Sequence, residues 1–132
     1  MVANDAFEAS ENGDLEGLKS SNSQIDDTLE DEDGASCLHY AARGGNLNIV
    51  EYLVKTLSFS VLNRSKTGAS ALHDAAASGN TEVVQWLLEN TTIKADDQDG
   101  SGLTPIHLAA LYRHFETIEV YNVDLDKMFY FN

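Results

Sequence analysis

Three histidines at a constant spacing are the residues of this chain with the clearest potential for chemistry. The interval from His39 to His73 equals the interval from His73 to His107. A zinc ion needs each ligand nitrogen within about 2.0–2.1 Å, whereas stacked helices lie about 8–10 Å apart. Histidines carried on successive helices therefore do not converge on one ion. Each histidine instead follows a hydroxyl residue by three positions, where the ring can bond back to a helix cap: Ser36, Ser70 and Thr104. We predict capping histidines, with no metal site and no cofactor.

The single cysteine and one aspartate are the other candidates for chemistry. Cys37 stands where the other copies have Ala71 and Pro105, which predicts a small residue in the first turn of a helix. Because a helix start can lower the pKa of a thiol, oxidation of Cys37 stays open. Asp74 is expected to make a structural hydrogen bond, or else to contact a ligand. The sequence has no paired catalytic carboxylates, phosphate-binding glycine loop or nucleophile–base set, so we predict that it is not an enzyme.

An internal repeat of constant period positions these side chains. Gly34, Gly68 and Gly102 keep the interval of the histidines and suit tight turns between copies. Gly45 and Gly79 permit the left-handed conformation that ends one helix and turns the chain into the next. Small residues after each histidine let the first helix approach its neighbours, and the second helix carries apolar residues at helical spacing. Such units shelter each other's apolar sides only by stacking.

The segment Thr104-Pro105-Ile106-His107-Leu108-Ala109-Ala110 resembles the ankyrin repeat, as do the Gly-Asn and Val-Val-x-x-Leu-Leu patterns of the other copies. The resemblance implies an all-α solenoid of stacked helix-turn-helix units with short hairpin fingers. It also implies that a partner protein binds on the concave face, through the finger tips and the first helices. Carried over by position, the partner-binding residues are Glu32, Asp33, Arg43, Lys66, Thr67, Ala77, Ser78, Gly100, Ser101, Leu103, Leu111 and Tyr112.

A narrower resemblance concerns three segments of the repeats. They are similar to the amino-terminal ankyrin array of the espin and Forked group of actin-bundling proteins: Leu72-His73-Asp74-Ala75, Val84-Gln85-Trp86-Leu87-Leu88 and Asp99-Gly100-Ser101-Gly102. This resemblance implies a role on actin bundles, with a myosin tail or a downstream segment of the same protein as the ligand. The actin-binding segments of that group have no counterpart here, so bundling itself is not implied.

The charge composition of the chain restricts the classes of partner that it can bind. The chain carries 22 acidic and 8 basic residues, a formal net charge of −14, which disfavours nucleic acid and anionic membranes. The same charge favours a protein or peptide with a basic segment, or else serves only solubility. The chain has no run of about 20 apolar residues, no signal peptide at its start and one cysteine. We expect a cytoplasmic protein, associated with the cytoskeleton if the narrower resemblance holds.

The repeat divides the chain into three parts. Residues 1–32 form a degenerate capping repeat and an acidic linker, with Phe7 in the place of histidine. Residues 33–120 hold three repeats, the last incomplete: 33–66, 67–100 and 101–120. Residues 121–132 form an aromatic tail, which either covers the last unit or is unrelated sequence on a truncated chain. The last unit departs from the pattern, because Arg113-His114 replaces Gly-Asn.

Charge is concentrated in the connections between units. Six of the eight residues from Asp26 to Asp33 are acidic, which indicates either a solvated loop or an acidic finger for a cationic ligand. A second acidic group follows in the third connection, and Lys66 and Arg64 between the two would give a graded strip of charge: Asp96, Asp97 and Asp99.

The sequence as a whole predicts a non-catalytic module that binds a partner polypeptide. Two alternatives stay open. The chain could be the ankyrin portion of a larger enzyme, or a structural or inhibitory subunit that occludes a basic groove on its partner.

Overall fold

The computed structural model describes residues 2–20 and 25–121, which form eight α-helices and no strand. The helices are α1 (Val2–Asn12), α2 (Leu15–Ser20), α3 (Cys37–Gly44), α4 (Leu47–Glu51), α5 (Ala71–Ala77), α6 (Thr81–Asn90), α7 (Pro105–Leu111) and α8 (Phe115–Val120). Helix α4 continues into a π-helical segment, Tyr52–Thr56. No helix of the described residues has the length and apolar character to cross a membrane. The two expectations for the aromatic tail concern residues 122–132, which lie outside the described residues.

The helices pair as hairpins and stack in two rows. Helices α1, α3, α5 and α7 pack on one another in chain order as the inner row, and α2, α4, α6 and α8 form the outer row. Large apolar side chains from both rows fill the space between them, and each is fully buried or nearly so: Leu38, Leu53, Leu72 and Leu87. The predicted all-α solenoid is therefore confirmed.

Alanines set the close spacing of the inner row. Five of them, on α3, α5 and α7, have no exposed surface: Ala41, Ala42, Ala75, Ala76 and Ala109. A larger side chain at these positions would have to displace the neighbouring helix, because the interior is already close-packed.

The first unit is a helix pair in the same stack. Gly13 ends α1 in the left-handed conformation, with φ at 82°, and α1 packs on both α2 and α3. Phe7, which replaces the histidine, is buried, and its ring stacks on Tyr40 with 4.9 Å between centroids. An aromatic contact thus holds the first two units together where a histidine is absent.

The fourth unit keeps the hairpin geometry despite its different sequence. Arg113 adopts the left-handed conformation of the glycines it replaces, with φ at 65°. Glycine is needed at Gly79, because a Cβ there would lie 2.6 Å from Nδ1 of His114 in the next unit. Within the described residues no later unit packs on Arg113, so its side chain is accommodated. His114 also takes over the role of asparagine, because its Nε2 donates to the Ala77 carbonyl over 3.0 Å, as Asn80 does to Ala42 over 2.7 Å.

Candidate partner-binding face

The histidines cap helices and join neighbouring units. Nδ1 of His73 accepts from the backbone N–H of Ser70 over 3.3 Å and lies 2.9 Å from the Ser70 hydroxyl. Its Nε2 lies 2.9 Å from the carbonyl oxygen of Leu103 in the next unit, which fits the neutral tautomer with the proton on Nε2. His39 makes the same contacts, to Ser36 and to Ala69. The predicted capping role is confirmed for Nδ1, and Nε2 adds a hydrogen bond to the next unit. The described residues hold no cluster of ligating side chains suited to a metal ion.

Backbone hydrogen bonds align the connections into a row of fingers. The N–H of Lys66 donates to the carbonyl of Asp33 over 2.9 Å, and that of Gly100 donates to Thr67 over 2.8 Å. Within the first finger, Oδ1 of Asp31 accepts from the N–H groups of Asp33 and Ala35, each at 2.9 Å. The tips therefore stand at fixed positions beside the inner row. We call the surface formed by these tips and the inner row the finger face.

Only part of the acidic connection faces solvent. Asp26 accepts from Thr28, and Asp27 accepts from the N–H of Ser60 over 2.9 Å. The carboxylates of Asp26 and Asp31 thus close local turns, and that of Asp27 joins the first connection to the second, so all three have structural partners. Asp26 is exposed as well, and the other exposed acidic side chains of this connection lie around the tip of the first finger: Glu30, Glu32 and Asp33.

The predicted graded strip of charge is wrong in one respect. Arg64 forms an ion pair with Asp97 and donates to the carbonyls of Gly68 and Gln98. The charge of Arg64 is therefore paired with the third connection although its side chain is exposed, and Lys66 is the exposed cation between the two acidic groups that has no ion pair in the described chain.

A polar network crosses the finger face from the first finger to α5. The hydroxyl of Tyr40 donates to Oδ2 of Asp31 over 2.5 Å, and the guanidinium of Arg43 lies 5.1 Å from the centre of the Tyr40 ring. Nε of Arg43 donates to Oδ2 of Asp74 over 3.0 Å. Asp74 thus makes the structural hydrogen bond expected of it. Because Asp74 offsets the charge of Arg43, this arginine competes less with a basic ligand for the exposed acids of the first finger.

Burial and hydrogen bonding shift the pKa values along this network. The hydrogen bond to Asp31 and burial raise the pKa of Tyr40 to about 12. Desolvation tends to raise the pKa of Asp31, but hydrogen bonds from Tyr40 and two backbone groups outweigh it and lower that pKa. Burial raises the pKa of Asp74 although Arg43 opposes it.

The raised pKa of Asp74 predicts a pH effect that Asp74→Asn removes. The folded state takes up a proton here before the unfolded state does, so this group adds to stability as the pH falls through the folded pKa toward 3.8. The free energy of unfolding of the native chain should therefore rise relative to that of the variant over this window. Urea titrations of both proteins at several pH values measure it. If the free energy of unfolding of the native chain instead falls relative to that of Asp74→Asn as the pH decreases, the ion pair with Arg43 outweighs burial.

The thiol of Cys37 is not accessible for the oxidation that the sequence left open. Its side chain is fully buried, and burial raises the pKa of the thiol. The expectation that the helix start lowers this pKa is wrong, because desolvation of the thiolate outweighs the helix end.

The predicted partner-binding residues fall into two groups. The larger group is exposed: Glu32, Asp33, Lys66, Thr67, Ser78, Gly100, Ser101, Leu111 and Tyr112. Arg43, Ala77 and Leu103 are half-buried, and two of them have structural contacts, since Arg43 pairs with Asp74 and Leu103 accepts from His73. The set omitted Tyr40, which the structure places at the centre of the network. Tyr40 stands at the same repeat position as Asp74 and Leu108, and this equivalence to a residue already considered for ligand contact could have identified it from the sequence.

The far end of the finger face is apolar. Leu111 and Tyr112 are 65% and 57% exposed, and Phe115 at the start of α8 is 45% exposed. The face therefore changes from acidic at the first finger to apolar at the fourth unit.

A family model for ankyrin repeats, in three copies, matches residues 6–99 and 62–121. These matches together extend over nearly the whole described chain. The chain belongs to the ankyrin-repeat family. Ankyrin repeats are generally protein–protein interaction modules and are typically non-catalytic, so this chain is placed among binding proteins. A search of curated proteins found none that matches it.

Proposed function

We propose that this ankyrin array binds a basic segment of a partner protein on its finger face, without catalysing a reaction. The observation that carries the proposal is the exposed group of Glu30, Glu32 and Asp33 beside an Arg43 that Asp74 already neutralises. A cationic segment meets a net negative charge there, with Lys66 as the exposed cation on the neighbouring finger of the described chain. The net charge of −14 adds long-range steering of a basic partner.

The narrower resemblance makes a myosin tail segment the first ligand to test, in a scaffold on actin bundles. Cytoplasmic localisation with cytoskeletal association belongs to the same proposal. The test is direct: immobilised array is incubated with myosin tail fragments and, separately, with basic and acidic peptides of equal length. Retention of the basic peptides alone would support the binding mode and reject the myosin ligand. Retention of acidic and basic peptides alike would reject the binding mode.

Reversal of the finger charges should weaken binding of a basic ligand. The double variant Glu32→Lys/Asp33→Lys turns attraction into repulsion at the first finger, and we expect about a tenfold loss of affinity at low salt. The loss should shrink as salt rises, because exposed charges are screened. Calorimetric titration of a basic peptide measures it.

A matched control separates local from global charge. Asp5→Lys/Glu16→Lys makes the same change in net charge at exposed positions of the first unit and should reduce affinity much less. Equal losses in both variants would mean that the first finger is not the binding site. A fall in the melting temperature of the finger variant would show that its two acids are structural.

A further inference from the structure

Lysine and aromatic side chains bridge the first two steps of the outer row. Nζ of Lys19 lies 5.3 Å from the centre of the Tyr52 ring, between the first and second units. Nζ of Lys55 lies 5.6 Å from the centre of the Trp86 ring, between the second and third units. In each case a cation from one unit covers an aromatic face of the next.

The third step lacks this bridge. One repeat interval after Lys55 and Trp86 stand Glu89 and Val120, so an anion replaces the cation and a smaller side chain replaces the ring. A groove of about 560 Å³ lies here between α6 and α8. Half-buried Leu88 and Val120 line it together with exposed glutamates. Contact between the Thr81 and Thr117 hydroxyls, at 2.8 Å, joins the two helices beside it.

The charge of the groove selects its ligand. Glu89, Glu116 and Glu119 line it, and no lysine or arginine of the described chain does. An anionic ligand would be repelled, whereas a lysine or arginine would place its aliphatic stem on Leu88 and Val120 and its charge among the carboxylates. Such a side chain would occupy the place between units that Lys55 fills in the preceding step, with an aliphatic contact in place of the aromatic one.

The shape of the groove favours a helix. Two helices packed side by side present ridges and a furrow into which a third helix fits. A bound strand would need an unpaired sheet edge, and the described residues contain no strand.

We propose that the α6–α8 groove is a second interaction site, for a basic amphipathic helix of another protein. It lies on the outer row, away from the finger face. It therefore does not depend on the function proposed above, and either site can fail without the other.

A synthetic amphipathic helical peptide tests the site, with lysines one heptad apart and leucine between them. Fluorescence anisotropy measures its binding to the full chain, and methyl NMR shifts of Leu88 and Val120 locate it. The double variant Glu89→Lys/Val120→Trp copies the bridge of the preceding step. It should weaken binding at least about tenfold while the melting temperature does not fall. Glu116→Gln/Glu119→Gln, which keeps the shape of the groove, should also weaken binding.

The matched control is Glu51→Lys, the same charge change on α4, where Lys55 and Trp86 already close the step. It should leave affinity nearly unchanged, as should Glu32→Lys/Asp33→Lys on the finger face. Unchanged binding by the closed variant, shifts confined to other residues, or no binding at low salt would each overturn the proposal. Binding by a chain ending at Tyr121 but not by the full chain would also overturn it, because the occupant would then be residues 122–132.

Discussion

Replacing His73 by alanine should lower the free energy of unfolding by about 2–4 kcal/mol. The variant loses the Nδ1 acceptor of the Ser70 N–H, a hydrogen bond worth about 0.5–1.5 kcal/mol, whereas the Ser70 hydroxyl still caps the backbone N–H of residue 73. It also leaves the Leu103 carbonyl without the ring N–H that bonds it across the unit boundary, which costs about 1–3 kcal/mol when the group is buried. The His73 side chain has no exposed surface, so water cannot readily replace it. Urea unfolding followed by circular dichroism measures the change.

His107→Ala is the matched control. His107 makes the same capping contact, at 2.7 Å from the Thr104 hydroxyl, but its ring is exposed and its Nε2 has no hydrogen-bond partner in the described chain. This variant should lose about 1 kcal/mol, the contribution of the Nδ1 contacts alone. Equal losses in the two variants would mean that the bond between units contributes nothing to stability.

Leu72→Ala and Leu87→Ala should each cost about 2–5 kcal/mol, because each removes a fully buried side chain and leaves a cavity. Leu72 lies in the inner row and Leu87 in the outer row of the third unit, so the pair tests both layers of the stack. Leu62→Ala should change stability little, since its side chain is 59% exposed. Unchanged melting of either buried-leucine variant would contradict the stacked core.

Two probes are needed for these measurements. In a stacked array each unit contacts only its neighbours, so units can unfold separately. Trp86 fluorescence reports the third unit, whereas circular dichroism reports all helices. Coincident transitions justify a single free energy of unfolding, and separated ones would assign the loss to particular units.

The repeated frame was predictable because its causes are local. A hydroxyl, a histidine three positions later and a left-handed glycine specify one helix start and one helix end, whichever units lie on either side. Their recurrence at a fixed interval then required stacking, since one helix pair cannot bury its apolar side alone. The same periodic pattern predicted apolar residues at helical spacing in the second helices, and Val83, Val84 and Leu87 are fully buried there.

Roles that depend on the next unit were not predictable in the same way. In the sequence, Arg113-His114 breaks the repeat pattern, yet the helix hairpin is kept. No following unit in the described chain crowds Arg113, and His114 donates a hydrogen bond as the asparagine does. Arg64 read as a surface charge, but its partner Asp97 belongs to the next connection along the chain. The acidic residues 26–33 form one charged segment in the sequence. Only the contacts of Asp27 with Ser60 and of Asp31 with Tyr40 show which of these carboxylates are structural.

The sequence by itself determined the fold family, the helix boundaries set by caps and glycines, and the acidic character of the chain. Tertiary structure alone decided which charges remain available to a partner. The ion pairs across units join residues that lie roughly a full repeat apart, and the sequence spacing of such residues does not show whether their side chains meet. The tertiary structure neutralised Arg43 and Arg64, left Glu32 and Asp33 exposed, and opened a groove where Glu89 and Val120 replace a lysine and a tryptophan.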